Sequence, residues 1–67
     1  MIADRCRELR RRHGLTQREL ARRAGLSMIC ICFIEQGRRD PLASTIVRLC
    51  RATGESADWL LEMGDEP

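Results

Sequence analysis

The 67-residue chain carries a formal charge of +2, from 12 basic and 10 acidic residues. A chain of this length buries only about 60% of the surface that its unfolded form exposes, so it has room for one domain with a small core. Little space is left for an enclosed catalytic pocket, which argues against an enzyme and favours a binding module.

The charges are distributed unevenly along the chain. Eight basic residues lie within residues 1–23, whereas residues 52–67 contain five acidic residues and no basic one. Every basic side chain is arginine, whose planar guanidinium suits phosphate oxygens and guanine edges. Exclusive use of arginine is also expected of a GC-rich genome. The asymmetry fits a protein that presents one face to a polyanion.

The sequence shows no signal peptide, because its N-terminus is charged throughout. The longest apolar run, Met28 to Ile34, is much shorter than the ~20 residues that span a bilayer. We therefore expect a cytoplasmic protein without a membrane partner. The four cysteines are then expected to be reduced thiols used for packing. Their spacing contains no C-x-x-C pair, so we predict neither a metal site nor a cofactor.

Apolar residues at helical spacing predict a first helix that ends at Gly14. Ile2, Cys6, Leu9 and His13 fall at i, i+4, i+7 and i+11 along one face. His13, the only histidine, is then a C-terminal helix residue that the helix dipole favours. The chain has no catalytic motif, such as a nucleophile elbow or a glycine-rich phosphate loop, and we predict that it is not an enzyme.

The second helix is predicted to begin at Thr16, because Glu19 three residues later completes a capping box. Leu20, Ala21 and Ala24 form its small inward face, and Gly25 suits the left-handed conformation that ends a helix.

Ser27 is the predicted cap of a third helix, Met28 to Gln36, which Gly37 ends. Ile31 and Ile34 lie on its inward side.

Two further helices are predicted after a polar loop. Pro41 suits the first turn of a fourth helix, on which Ile46, Leu49, Cys50 and Thr53 repeat with a period of about 3.6. Ser56 is the predicted cap of a short fifth helix with Trp59, Leu60 and Met63. No stretch alternates with a period of two. The sequence therefore predicts an all-α domain of five helices over residues 1–63, followed by a frayed tail at residues 64–67.

Four motifs stand together in the chain: G-L-T-Q-x-x-L-A at residues 14–21, G-L-S at 25–27, I-E-x-G at 34–37 and A-D-W-L-L at 57–61. With these motifs at this spacing, the chain resembles the phage-repressor and Cro-type helix-turn-helix family from about residue 2 to residue 61. The resemblance implies a compact, lambda-repressor-like domain whose second and third helices form the helix-turn-helix. It also implies a transcriptional regulator, most often a repressor, that binds double-stranded operator DNA as a homodimer.

The resemblance assigns DNA-backbone contacts to several residues. Gln17 matches a glutamine that donates to a phosphate, a sensible role at a helix N-terminus, where free backbone N–H groups attract anions. Thr16 caps the helix beside it. Arg38 and Arg39 match loop positions that reach the phosphate backbone. Arg10 matches a residue that pairs with the one at Glu35, and we interpret this ion pair as structural.

The C-terminal end of the domain is the predicted dimer contact. Trp59 and Leu61 flank Leu60, and such a run of large apolar residues cannot face one small core together. At least one of Trp59 and Leu61 is therefore expected at a subunit contact, in agreement with the dimer seam that the resemblance implies. The alternative is that Trp59 folds over the edge of its own core. A seam here would present two recognition helices roughly 34 Å apart, one turn of DNA.

The third helix departs from the family pattern. Its expected groove-facing residues are Ser27, Met28, Ile29, Cys30 and Phe33, and the last four stand where the family usually carries hydrogen-bonding side chains. One interpretation is that they contact DNA apolarly while arginines and Gln17 supply the affinity through phosphates, with weak sequence selectivity.

The other interpretation is that Met28, Ile29 and Phe33 bind a protein partner or a second copy, with DNA binding lost or masked. A third possibility, a register error of one residue, is disfavoured because Ile31 and Ile34 already fill the inward side.

Overall fold

A computed structural model describes residues 1–62, and within this range it contains five helices and no strand. The helices are α1 (Ile2–Arg12), α2 (Gln17–Ala24), α3 (Met28–Glu35), α4 (Ala43–Thr53) and α5 (Ala57–Leu60). The predicted all-α fold is therefore confirmed. Neither Met63, expected on the fifth helix, nor the tail at residues 64–67 lies within the described residues. Among the described helices, none combines the length and the apolar character needed to cross a membrane.

Every helix contributes apolar side chains to one shared core. On α2 two of these are the small residues Ala21 and Ala24, which let neighbouring helices approach closely. On α3 they are Ile31 and Ile34, both fully buried as predicted, so the possibility of a register error in α3 is excluded. The buried apolar set is Cys6, Leu9, Leu15, Leu20, Ala21, Ala24, Ile31, Ile34, Ile46, Leu49 and Leu60.

The boundaries of α2 follow from local hydrogen bonds. The Thr16 hydroxyl accepts a hydrogen bond from the Glu19 backbone N–H at 3.1 Å, and the Glu19 carboxylate accepts one from the Thr16 N–H at 2.9 Å. These are the two bonds of the predicted capping box. The backbone hydrogen bond from Thr16 also lowers the pKa of Glu19. At the other end Gly25 has φ 70° and ψ 33°, the left-handed conformation that was predicted for it.

Removing the cap is expected to weaken the fold measurably. Thr16→Ala should lower the free energy of unfolding by about 1 kcal/mol, because the Glu19 N–H loses its acceptor. Urea denaturation followed by circular dichroism measures this change. Ser44→Ala is the matched control, since Ser44 is exposed in the first turn of α4 and should change stability by less than about 0.5 kcal/mol. Equal effects of the two substitutions would contradict the assigned cap.

The start of α4 differs from the prediction. Pro41 was expected in the first helical turn, but the helix begins at Ala43 and Leu42 is its N-cap. Leu42 has φ −67° and ψ 158°, so the chain stays extended for one residue beyond the proline. Leu42 has no side chain that can cap a helix, and its carbonyl accepts the first helical hydrogen bond, from Ile46. The prediction for Pro41 is therefore wrong by two residues.

Candidate nucleic-acid interface

A buried carboxylate, that of Glu35, joins the first three helices. The Arg10 Nε donates to Glu35 Oε2 at 2.9 Å, and the Arg10 Nη2 donates to Oε1 at 3.1 Å. Gln17 Nε2 also donates to Oε1, at 3.1 Å. Glu35 is only 5% exposed, and a charge buried to this extent is tolerated only when it is paired and hydrogen-bonded. The ion pair predicted between Arg10 and Glu35 is present, and it ties α1 to α3.

Both the amide oxygen and the amide nitrogen of Gln17 form hydrogen bonds in this network. Its Oε1 accepts a hydrogen bond from Cys32 Sγ at 3.0 Å, while its Nε2 donates to Glu35. An amide nitrogen carries two N–H groups, so one donor remains for another ligand. The first backbone N–H groups of α2 likewise have no acceptor within the helix. The phosphate contact of Gln17 stays a prediction, for which these donors are suited.

Arg7 is a further partner of Glu35 that the sequence did not single out. Its guanidinium donates to the backbone carbonyl oxygen of Glu35 and to the Asp4 carboxylate. Its contact with Glu35 could have been inferred from its position three residues before Arg10, because residues at i and i+3 lie on the same side of a helix. Together Arg7 and Arg10 fix the C-terminal end of α3 against α1.

The starts of α2 and α3 form one continuous surface. A shallow depression there is lined by Arg10, Thr16, Gln17, Arg18 and Met28. Arg18 is exposed and adds a positive charge beside the first turn of α2. The sequence analysis did not name Arg18 as a contact residue, although its position next to Gln17 could have indicated this role.

Ser27 lies at the start of α3 and is exposed. Its hydroxyl accepts a hydrogen bond from the Cys30 N–H at 3.1 Å, which is the predicted cap.

The outward side of α3 is apolar, as the sequence indicated, but not all of the residues predicted to lie there are exposed. Met28 and Ile29 are exposed, Ile29 to 61%. Cys30, which was predicted to face the groove, is half-buried and packs against the core. It lies one turn before Ile34, and this places it at the edge of the inward side. Cys32 is also half-buried, and its Sγ donates to Gln17 Oε1.

Phe33 is half-buried, and two arginines lie over its ring. The guanidinium carbons of Arg38 and Arg39 lie 6.0 and 5.3 Å from the ring centroid. A guanidinium above an aromatic face is attracted by the ring electrons, and its N–H edges stay available to acceptors. Arg38 and Arg39 are both exposed. Donors for anions therefore lie at both ends of α3, with apolar side chains between them.

Trp59 and Leu61, the predicted dimer contact, occupy different environments. The Trp59 ring is half-buried against the core and lies between two guanidiniums of α1, 4.8 Å from that of Arg5 and 4.4 Å from that of Arg12. The alternative in which Trp59 folds over the edge of its own core is therefore the observed arrangement. Leu61 is 43% exposed. The subunit contact predicted for Trp59 and Leu61 stays a prediction.

All four cysteines are free thiols. Burial is the main cause that raises the pKa of Cys6 to about 12, and the Glu35 charge adds to it. Burial also raises the pKa of Cys50. Both raised pKa values favour the protonated thiol over the reactive thiolate. Within residues 1–62, no group of three or more histidine, cysteine, aspartate or glutamate side chains is placed to hold a metal ion.

Comparison with known proteins agrees with this architecture. The helix-turn-helix family model matches residues 7–60. An uncharacterized HTH-type transcriptional regulator of Sinorhizobium fredii is 36% identical over 66 residues, which cover 98% of this chain and 86% of that protein. An uncharacterized HTH-type transcriptional regulator of Archaeoglobus fulgidus is 32% identical over 65 residues, covering 97% and 93%. The resemblance noted from the sequence motifs is confirmed. The chain belongs to the helix-turn-helix family.

Proposed function

We propose that this chain is a transcriptional repressor that binds double-stranded DNA as a homodimer and acts by binding rather than by catalysis. The observation that supports it best is the distribution of donors along α3. This helix has eight residues, a length of about 12 Å, with donors for anions at both ends. The major groove of B-DNA is about 12 Å wide and is bordered by phosphates. Both similar proteins are named as transcriptional regulators.

In this arrangement the two ends of α3 contact the phosphates on either side of the groove. On one side are the start of α2, with Thr16, Gln17 and Arg18, and the Ser27 hydroxyl. On the other side are Arg38 and Arg39, whose guanidiniums the Phe33 ring holds beside the end of α3. Contacts of this kind set the position of the protein on DNA and make the affinity depend on salt, but they carry no base sequence.

Base recognition would come from Met28, Ile29 and Phe33. These side chains form no strong hydrogen bonds, and the apolar feature of the major groove is the thymine methyl group. We therefore expect a modest ratio between specific and non-specific affinity. Thymine-containing steps should account for most of the preference.

The alternative, in which Met28, Ile29 and Phe33 bind a protein, is less well supported. Membership in the helix-turn-helix family favours DNA as the partner. The apolar surface is also smaller than the sequence suggested, since Arg38 and Arg39 cover part of the Phe33 ring. Charged groups placed over one end of the apolar surface suit a polyanion better than an apolar partner.

The proposal is tested by titrating a labelled random-sequence duplex at several salt concentrations and following fluorescence anisotropy. Arg38→Ala should weaken binding to all sequences and reduce the slope of log K against log salt by about 0.9, the value for one lost phosphate contact. Arg11→Ala is the matched control, because Arg11 is exposed on α1 outside the proposed contact surface. It should leave the slope unchanged.

Two outcomes would contradict the proposal. One is the absence of salt-dependent binding at low ionic strength, and the other is an equal effect of Arg11→Ala and Arg38→Ala. Light scattering on the same samples then tests the alternative. Oligomers that dissociate on Phe33→Ser, without any DNA binding, would assign the outward side of α3 to a protein interface.

A further inference from the structure

A second basic surface lies between α2 and α4. It is a groove of about 580 Å³ whose lining includes Arg23, Arg48 and Arg51, and we refer to it as the arginine groove. No residue of α3 or of the Arg38–Arg39 loop contributes to its lining. The arginine groove is thus separate from the proposed DNA contact surface, and DNA binding by α3 leaves it unexplained.

The three arginines of the groove differ from those of α1 in their partners within residues 1–62. None of them takes part in a salt bridge there, whereas four arginines of α1 do: Arg5, Arg7, Arg10 and Arg12. The Glu19 carboxylate, one turn before Arg23, feels the Arg23 charge, but its hydrogen bond is to the Thr16 N–H of the capping box. The C-termini of α2 and α4 supply only about half a negative charge each. The groove therefore keeps a net positive field that an anionic partner would neutralise.

The groove also has an apolar part, so a partner that fills it should carry an apolar group as well as negative charge. Val47 is 45% exposed, and Val47 and Ala52 line the groove beside the arginines. A free phosphate or a DNA backbone would satisfy the guanidiniums but would leave Val47 in water. A peptide segment that carries both carboxylates and an apolar side chain would satisfy both parts.

The chain itself contains a segment of this composition. Residues 61–66 read L-E-M-G-D-E, with three carboxylates and two large apolar side chains. Leu61, at the start of the segment, is 43% exposed. The Glu62 carboxylate accepts a hydrogen bond from Arg5 at 3.2 Å. Asp65 and Glu66 are the two further carboxylates in the sequence of this segment.

We propose that the acidic segment at residues 61–66 of one copy binds in the arginine groove of a second copy, and that the exchange is reciprocal. The inference rests on the homodimer of the proposed function and supplies its contact surface. Asp65 and Glu66 face the groove arginines, and Leu61 lies against Val47. Because each copy offers one segment and one groove, the interface has two-fold symmetry and closes at two subunits.

Charge reversal tests this pairing directly. A groove variant carries Arg48→Glu and Arg51→Glu, and a segment variant carries Asp65→Arg and Glu66→Arg. In sedimentation equilibrium each variant alone should have its dimer dissociation constant raised at least tenfold over that of the native chain, because like charges then face each other. An equimolar mixture of the two should regain the dimer, since each segment again meets a groove of opposite charge.

The control is the double variant Arg11→Glu and Arg22→Glu. Both arginines are exposed in the last turn of a helix, and neither lines the groove. This variant changes the net charge as much as the groove variant, and it should keep the native dimer constant. Circular dichroism verifies that all variants remain helical, so that a lost dimer is not mistaken for a lost fold.

Several results would overturn the inference. These are a native chain that stays monomeric, a dimer that is indifferent to both reversals, and a mixture that fails to recover. A recovery failure combined with a mass that is independent of concentration would mean that no segment is exchanged between copies. DNA titrations of the same samples separate the two proposals. If the native chain dimerises and the mixture of variants regains the dimer, but no DNA is bound, only the proposed function is refuted. If DNA is bound but the mixture does not regain the dimer, only this inference is refuted.

Discussion

Replacing Glu35 with alanine is expected to lower the free energy of unfolding by about 3 kcal/mol. Its carboxylate is buried and accepts three hydrogen bonds, two from Arg10 and one from Gln17. Removing one partner of a buried ion pair usually costs about 3–5 kcal/mol, because the other charge stays behind without compensation. The Arg10 side chain is 21% exposed, so water can reach it and the lower end of that range applies.

Such a loss is large for this chain. Small domains are stable by roughly 0.05–0.15 kcal/mol per residue, which for 67 residues is on the order of 5 kcal/mol. The variant should therefore keep only about 2 kcal/mol, and its urea midpoint should fall to less than half of the native value. Glu8→Ala is the control, since the exposed Glu8 carboxylate lies 3.9 Å from Arg12 and surface pairs contribute at most about 1 kcal/mol. A Glu35→Ala effect no larger than that of the control would mean that the network is not structural.

Alkaline pH is expected to destabilise the protein through the buried thiol of Cys6. Burial raises its pKa from an ordinary value of 9.0 to about 12. The unfolded chain therefore releases this proton near pH 9, whereas the folded chain keeps it to about pH 12. The contribution to stability is fully present below pH 9 and is lost as the pH rises toward 12. Each pH unit in this window costs about 1.4 kcal/mol, so between pH 9 and 11 stability should fall by about 2 to 3 kcal/mol.

The alkaline prediction is measured by urea denaturation at several pH values under reducing conditions, with Cys6→Ala for comparison. The alanine variant should be less stable below pH 9 by about 1 kcal/mol, because it loses buried packing. Above pH 9 the native protein should lose stability faster, so the two curves converge and then cross. The pKa of Cys50 is also raised, but that thiol is present in both proteins and cancels in the difference. Parallel curves would contradict the assignment to Cys6.

Features that depend on residues close in the chain were predictable. The capping box joins Thr16 to a residue three positions later, and Gly25 ends α2 because its left-handed backbone suits glycine. The inward side of α3 followed from the spacing of Ile31 and Ile34. Each of these predictions needs only helix geometry and local hydrogen bonding, so the five helices and the helix-turn-helix could be assigned without the structure.

Features that depend on distant partners were not predictable from local patterns, and the Arg10–Glu35 ion pair was expected only because the family resemblance implied it. The direction of the Gln17 amide is set by Glu35 and Cys32, both supplied by another helix. The spacing of Cys30 and Cys32 places them roughly 200° apart on a helix, but which one turns inward depends on how α3 rotates against the core. No local pattern indicated that Arg38 and Arg39 would cover Phe33. The sequence therefore predicted the helices that carry the candidate surface, α2 and α3, but not how the side chains within it are arranged.

The position of Trp59 gives the protein a built-in optical probe. It is the single tryptophan, and the chain has no tyrosine, so intrinsic fluorescence originates almost entirely from α5. The ring lies between the guanidiniums of Arg5 and Arg12, and any release of α5 from α1 would transfer it to water and shift its emission to longer wavelength. Events at α3 do not touch this ring. Emission from the protein and anisotropy of labelled DNA would therefore report on two different ends of the molecule in a single titration.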